Sequence, residues 1–303
     1  MESYTTITAT QWTSLPAEFR RPGTSEHSQN QKRGRKLDSF LEGPLFVDSL
    51  SLLFVVDIPY GRIFSIDPTT ATWSLVLEYD GEPNGLAWNP QSQSIVIADF
   101  KQGILSFDPK TKSLSIVVSR FHGERLKGPN DLVVSSDGTI FFTDQGMTGL
   151  HDPTGRVYRL SPDGRLEQIL TNGLSPNGLI LCRDRSALWV AMTRDNSVWH
   201  IPFYPDGSVQ RAGRFSSYYG IGGPDGMALD EEGNVFVAHS TLGTVFVHRA
   251  DGELRAKIRS PVGKGTTNLT WGGDESNVLY VVESESGSIL KVEWHCTGWM
   301  ATR

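Results

Sequence analysis

Six-residue runs dominated by apolar, β-branched and aromatic residues recur along most of the chain: LLFVVD, SIVIAD, TIFFTD, LWVAMT, NVFVAH and VLYVVE. Runs of this length, closed by Gly, Pro, Asp or Asn, predict strands rather than helices. They belong to a longer repeat. The segments EGPLFV, PNGLAW, PNDLVV, PNGLIL, PDGMAL and TNLTW open six copies whose first polar residues are Glu42, Asn84, Asn130, Asn177, Asp225 and Asn268, spaced 42, 46, 47, 48 and 43 residues apart. The runs end at Asp57, Asp99, Asp144, Thr193, His239 and Glu283, each 14 to 16 residues beyond its copy's first polar residue. Third strands follow as GRIFSID, GILSFD, GRVYRLSPDG, SVWHIPFYPDG, GTVFVHRADG and GSILKVEW, and fourth strands as TWSLVLE, LSIVVS, RLEQIL and ELRAKI. Four strands per period of this length predict an all-β fold, a six-bladed β-propeller with four-stranded antiparallel blades around a central channel, over residues 38–303. Residues 1–37 form an N-terminal segment in this reading. Blade six shows only three strands, so Tyr4 to Thr10 is expected to supply its outer strand and join the chain ends. The polar stretch from Phe19 to Lys36 reads as a mobile linker.

The first strand of a blade lines the axis, so the first polar residues of six copies should form a ring around the channel. Glu, Asn, Asn, Asn, Asp and Asn in such a ring is an all-oxygen donor set. It suits a hard divalent cation, calcium first, with magnesium, manganese or zinc as alternatives. Two carboxylates would balance its charge. The competing reading is that Asn and Asp merely cap the turns leading into each blade and meet no metal. Asp57, Asp99 and Asp144, repeated at one position, are expected to make structural hydrogen bonds. His239 stands at the end of a strand, where it would face the channel mouth or be satisfied by backbone. Met147, Leu150, Phe215, Tyr218 and Tyr219 would form an apolar rim or anchor loops on the blades.

Composition removes several function classes. With 28 Lys and Arg against 34 Asp and Glu, a net charge of −6, the chain lacks the cationic excess of a phosphate-backbone binder, so no nucleic-acid partner is expected. The longest apolar stretch, Leu50 to Val56, is far short of a membrane span, and MESYTTITATQW shows no secretory leader. Only Cys182 and Cys296 occur, without CxxC spacing. A cytoplasmic protein with no membrane partner is the resulting expectation. There is no GxSxG elbow, no HExxH and no pair of His residues four apart, which argues against a serine nucleophile or a helical zinc site.

EGP at Glu42, RLKGPNDLVVSSDGTIFFTD around Asn130, LSPNGL around Asn177 and PDGMALDEEGNVFVA around Asp225 resemble the SMP-30/gluconolactonase/LRE-like family, six-bladed propellers that hydrolyse lactones. The resemblance covers roughly residues 38 to 295. It implies that Glu42, Asn177 and Asp225 hold the cation, that Asn130 completes the site or contacts substrate, and that Asp225 or a hydroxide generated at the metal activates water. Asn84, Asn130, Met147, Tyr219 and His239 are the candidate substrate contacts for a small-molecule lactone. Members acting on sugar lactones are expected to carry a basic residue two positions before the blade-three Asn; here that position is Gly128, with Lys127 displaced by one. Gln145-Gly146-Met147 and Ala191-Met192-Thr193 also make the expected mouth less polar, pointing to a substrate bulkier and more apolar than gluconolactone. Alternatives on the same scaffold are an organophosphate hydrolase, a pathway-specific enzyme of secondary metabolism, and a non-catalytic interaction propeller.

Overall fold

The computed structural model describes residues 4–273 and 275–302. Six antiparallel sheets are arranged as blades in chain order, with inner strands Leu41–Val47, Pro83–Asn89, Pro129–Val134, Pro176–Leu181, Pro224–Asp230 and Thr266–Gly272. Each later strand of a blade pairs with the one before it, as consecutive hairpins require. The core lies between blades. Val47, Phe54 and Ile63 of blade one meet Leu86, Ile95 and Leu105 of blade two, and comparable clusters fill the remaining gaps. Buried side chains of this kind contribute about 1.5–3 kcal/mol each, so packing between neighbouring blades is what holds the ring.

The chain ends meet as closure demands, with a shifted register. Thr10–Ser14 pairs antiparallel with Ser288–Glu293 as the fourth strand of blade six. Thr5–Thr8 instead pairs parallel with Leu254–Arg259 on the outside of blade five. The switch falls at buried Ala9, whose N–H donates to the Arg259 carbonyl at 2.9 Å. Alternation through TTITATQWTS suits either sheet, so the sequence could not choose the register.

The stretch expected as a linker is folded. A capping box, Ser28 N–H to Ser25 Oγ at 3.1 Å and Ser25 N–H to Ser28 Oγ at 2.9 Å, starts helix α1 (Glu26–Gln31). Six residues are too few for a helix to persist alone. Tertiary contacts hold α1: His27 and Ser28 are buried, His27 Nδ1 lies 3.3 Å from Glu82 Oε2, and Gln31 Nε2 donates to the same oxygen at 2.9 Å. Among the described residues no helix is long and apolar enough to cross a membrane.

Candidate functional site

Every inner strand breaks register with its neighbour at the ring position. The shifts lie between Glu42 and Leu45, Pro83 and Gly85, Pro129 and Leu132, Pro176 and Leu179, Pro224 and Met227, and Thr266 and Asn268. A bulge re-aims the side chain it contains, and repeating it six times turns the polar residue of each copy out of the pleat. Glycine allows the neighbouring strands to close behind it. A Cβ on Gly178 would lie 2.3 Å from the Asp225 carbonyl oxygen, and one on Gly226 would lie 2.7 Å from the Asn268 Cα.

Blade three departs from this pattern, with Asp131 where most copies have glycine. Its Oδ1 accepts from Leu132 N–H at 2.8 Å, and Oδ2 accepts from Asn268 Nδ2 at 3.3 Å. Blades three and six stand opposite one another, so this contact crosses the axis. Asp131 and Asn268 line an apolar cavity of about 410 Å³ at the far end.

At the other end lies a cavity of about 690 Å³, lined by Glu42, Asn84, Asn130, Asn177 and Asp225 from five different blades, together with Met147. Glu42, Asn130, Asn177 and Asp225 are all buried. Asn130 Nδ2 donates to Gln145 Oε1 at 3.0 Å, which leaves its amide oxygen available, and Glu42 Oε2 accepts from Gly43 N–H at 2.8 Å. Burial raises the Glu42 carboxyl, opposed by hydrogen bonds from Thr267, the Gly43 N–H and Asn268. Burial also lifts Asp225 well above the ordinary carboxyl range, and the charge of Glu42 adds to the lift while Lys32 and Asn177 oppose it. Neither carboxylate has a salt bridge to any described residue within 4.0 Å. Two buried, mutually repelling carboxylates beside amide oxygens call for a cation, so the donor chemistry fits a divalent ion. Among the described residues no cluster of three or more His, Cys, Asp or Glu is gathered in this way, so amide oxygens would have to complete the shell.

Other candidates lie elsewhere. Asn268 sits with the second cavity, its Oδ1 accepting from Leu269 N–H at 2.8 Å. Tyr219 is 60% exposed and lies outside the described lining of the larger cavity. Of the two readings for His239, at the channel mouth or satisfied within the blade, the fold favours the second, for the ring is fully buried. It packs edge-on against Tyr218 and Phe246, and its Nε2 lies 3.4 Å from Asn196 Oδ1. Burial pulls its pKa down to about 4, leaving a neutral ring. The strand-end position was legible, but the side of the strand was not. Phe215 and Tyr218 pack against the core between blades four and five, while Leu150 joins Met147 at the mouth.

The repeated acids staple each blade shut: Asp57 Oδ1 accepts from Phe40 N–H and Asp144 Oδ1 from Gly128 N–H, both at 2.8 Å. Both donors lie two residues before their blade's ring residue, so these acids hold the backbone that presents the site. Sequence reasoning gave no supporting role to three residues, Gln145, Thr267 and Asp131. Each directly follows or precedes a recognised repeat position, and adjacency was the available signal.

Residues 40–285 match the model of the SMP-30/gluconolactonase/LRE-like region. The chain belongs to this family. A gluconolactonase of Zymomonas mobilis is 30% identical over 281 residues, covering 83% of this chain and 77% of the relative. Diisopropyl-fluorophosphatase of Loligo vulgaris is 24% identical, covering 85% and 90%. Among solved structures, the calcium-binding protein regucalcin from Agrobacterium tumefaciens superposes with a TM-score of 0.77 at 18% identity, covering 98% of each chain. That last likeness concerns the propeller itself. The SMP-30 region begins just before Glu42, and helix α1 precedes it.

Proposed function

We propose that this family member opens lactones at the larger cavity, with one divalent cation, calcium first, held by Glu42, Asn130, Asn177 and Asp225. The protein is a lactonase-type carboxylic ester hydrolase. The observation that carries this reading is the meeting of Glu42 and Asp225, two buried carboxylates from blades one and five, with the amides of blades three and four in one cavity. When bound, the cation would polarise the lactone carbonyl as a Lewis acid.

The chain's own groups supply the rest. Asp225 takes the proton of the attacking water, its carboxylate lying in the same cavity as Glu42 and the amides of blades three and four. The ring C–O bond then breaks and the released alkoxide is protonated, leaving a hydroxy acid. Gln145 fixes the Asn130 amide so that its oxygen faces the site. Exposed Met147, Leu150 and Ile221 at the mouth support a substrate bulkier and more apolar than gluconolactone.

The squid fluorophosphatase relationship keeps a second reading in play, since the same donor set would accept a phosphoryl oxygen. A panel of alkyl and aryl lactones, gluconolactone and a fluorophosphate, assayed with and without chelator, tests both readings. Chelator-sensitive turnover higher on the alkyl and aryl lactones than on gluconolactone is expected. Asp225→Asn should abolish it, by about a thousandfold or more, with the circular dichroism spectrum unchanged. Full activity in chelator or in Asp225→Asn would overturn the mechanism.

A further inference from the structure

Lys32, which caps the C-terminus of helix α1, lines the same cavity as Glu42 and Asp225. Its ammonium sits 3.8 Å from the centroid of the Phe40 ring, a placement that holds a long side chain in one position. Its charge interacts with the carboxylates of the same cavity, Asp225, Glu42 and Glu285. Arg194, from the loop after the second strand of blade four, lines the cavity as well. It donates to the Ile221 carbonyl at 3.2 Å and has no carboxylate partner among the described residues. Arg35 is different: it pairs with Glu285 at 3.1 Å and cancels.

If a divalent cation balances Glu42 and Asp225, and Arg35 balances Glu285, the positive charges of Lys32 and Arg194 are left over at the mouth. Burial weakens the hold of Lys32 on its proton and the charge of Arg194 adds to that, while Asp225, Glu42 and Glu285 oppose it. Two unmatched cations converging on an enclosed cavity favour an anionic ligand.

We propose that Lys32 and Arg194 form an anion subsite, and that the substrate is a lactone bearing a carboxylate remote from its reacting carbonyl. This rests on the lactonase reading above and specifies its substrate class. The apolar rim of Met147, Leu150 and Ile221 then receives the carbon skeleton, while the acidic arm turns toward α1. Lys32 binds and orients; it takes no part in the bond changes.

The test compares 5-oxotetrahydrofuran-2-carboxylate with its methyl ester, using intact protein loaded with calcium. The protein should prefer the acid in kcat/KM by about 10- to 100-fold, the range of one or two charge-assisted contacts. In Lys32→Met the ratio should fall toward unity through KM, and Lys32→Arg should restore most of it. Equal use of acid and ester, or a preference that survives in Lys32→Met, overturns the proposal; the latter would mean that the carboxylate sits on the cation. Should neither compound be opened, the lactone panel above decides the lactonase reading. Calorimetric binding of tetrahydrofuran-2-carboxylate against tetrahydrofuran-2-carboxamide then decides the subsite, since tighter binding of the acid that is lost in Lys32→Met supports it and equal binding refutes it.

Discussion

Asp131 offers a stability measurement that reads the electrostatics of the channel directly. Burial raises its carboxyl from 3.8 to about 7, with the charge of Glu42 adding to the rise and the Leu132 N–H and Asn268 bonds opposing it. The unfolded chain therefore releases this proton near pH 4 and the folded chain only near pH 7. Between those values the folded state holds more protons, so its stability falls as pH rises. At about 1.4 kcal/mol per unit the full effect is about 4 kcal/mol, absent below pH 4 and complete above pH 7. Asp131→Asn keeps an oxygen for the Leu132 N–H and removes the charge. Urea unfolding in chelator at pH 4.5, 6 and 8 should show variant and parent close together at the lowest pH. The variant should be about 2–4 kcal/mol more stable at the highest. Parallel curves, or a variant less stable at pH 8, would refute the assignment of a strained buried charge to this position.

Two further perturbations address the scaffold. Arg62, 1% exposed, donates from Nε to Asp57 Oδ2 at 3.0 Å and from Nη1 to the Phe19 carbonyl at 2.7 Å, so Arg62→Met should cost about 3–5 kcal/mol by stranding a buried carboxylate. An unchanged urea midpoint would show that Asp57 is satisfied without it. Removing residues 1–15 takes away the outer strand of blade six and buried Leu15, and should lower stability by roughly 3 kcal/mol or more while exposing an edge that self-associates. A monomer with the parent's unfolding midpoint would contradict that role.

The repeat, its six ring positions and the strands carrying them were legible because a period of about 45 residues leaves few other architectures. What escaped depended on contacts between distant segments. Helix α1 has no apolar stripe of its own and owes its existence to Glu82 and the mouth of the channel, so SEHSQNQ reads as linker. His239 and Asn268 were assigned by register alone, whereas the bulges decide which way each side chain turns. Asp131, one residue beyond a ring position, was passed over, and only the narrowness of the axis makes its carboxylate reach Asn268.

If Glu42, Asn130, Asn177 and Asp225 converge on one divalent ion, calorimetric titration of metal-free protein with calcium should give one ion per chain. In Glu42→Gln, with one of the two carboxylates neutralised, the affinity should fall at least about tenfold. Equal affinity in the variant, or no binding to the parent protein, would contradict that convergence.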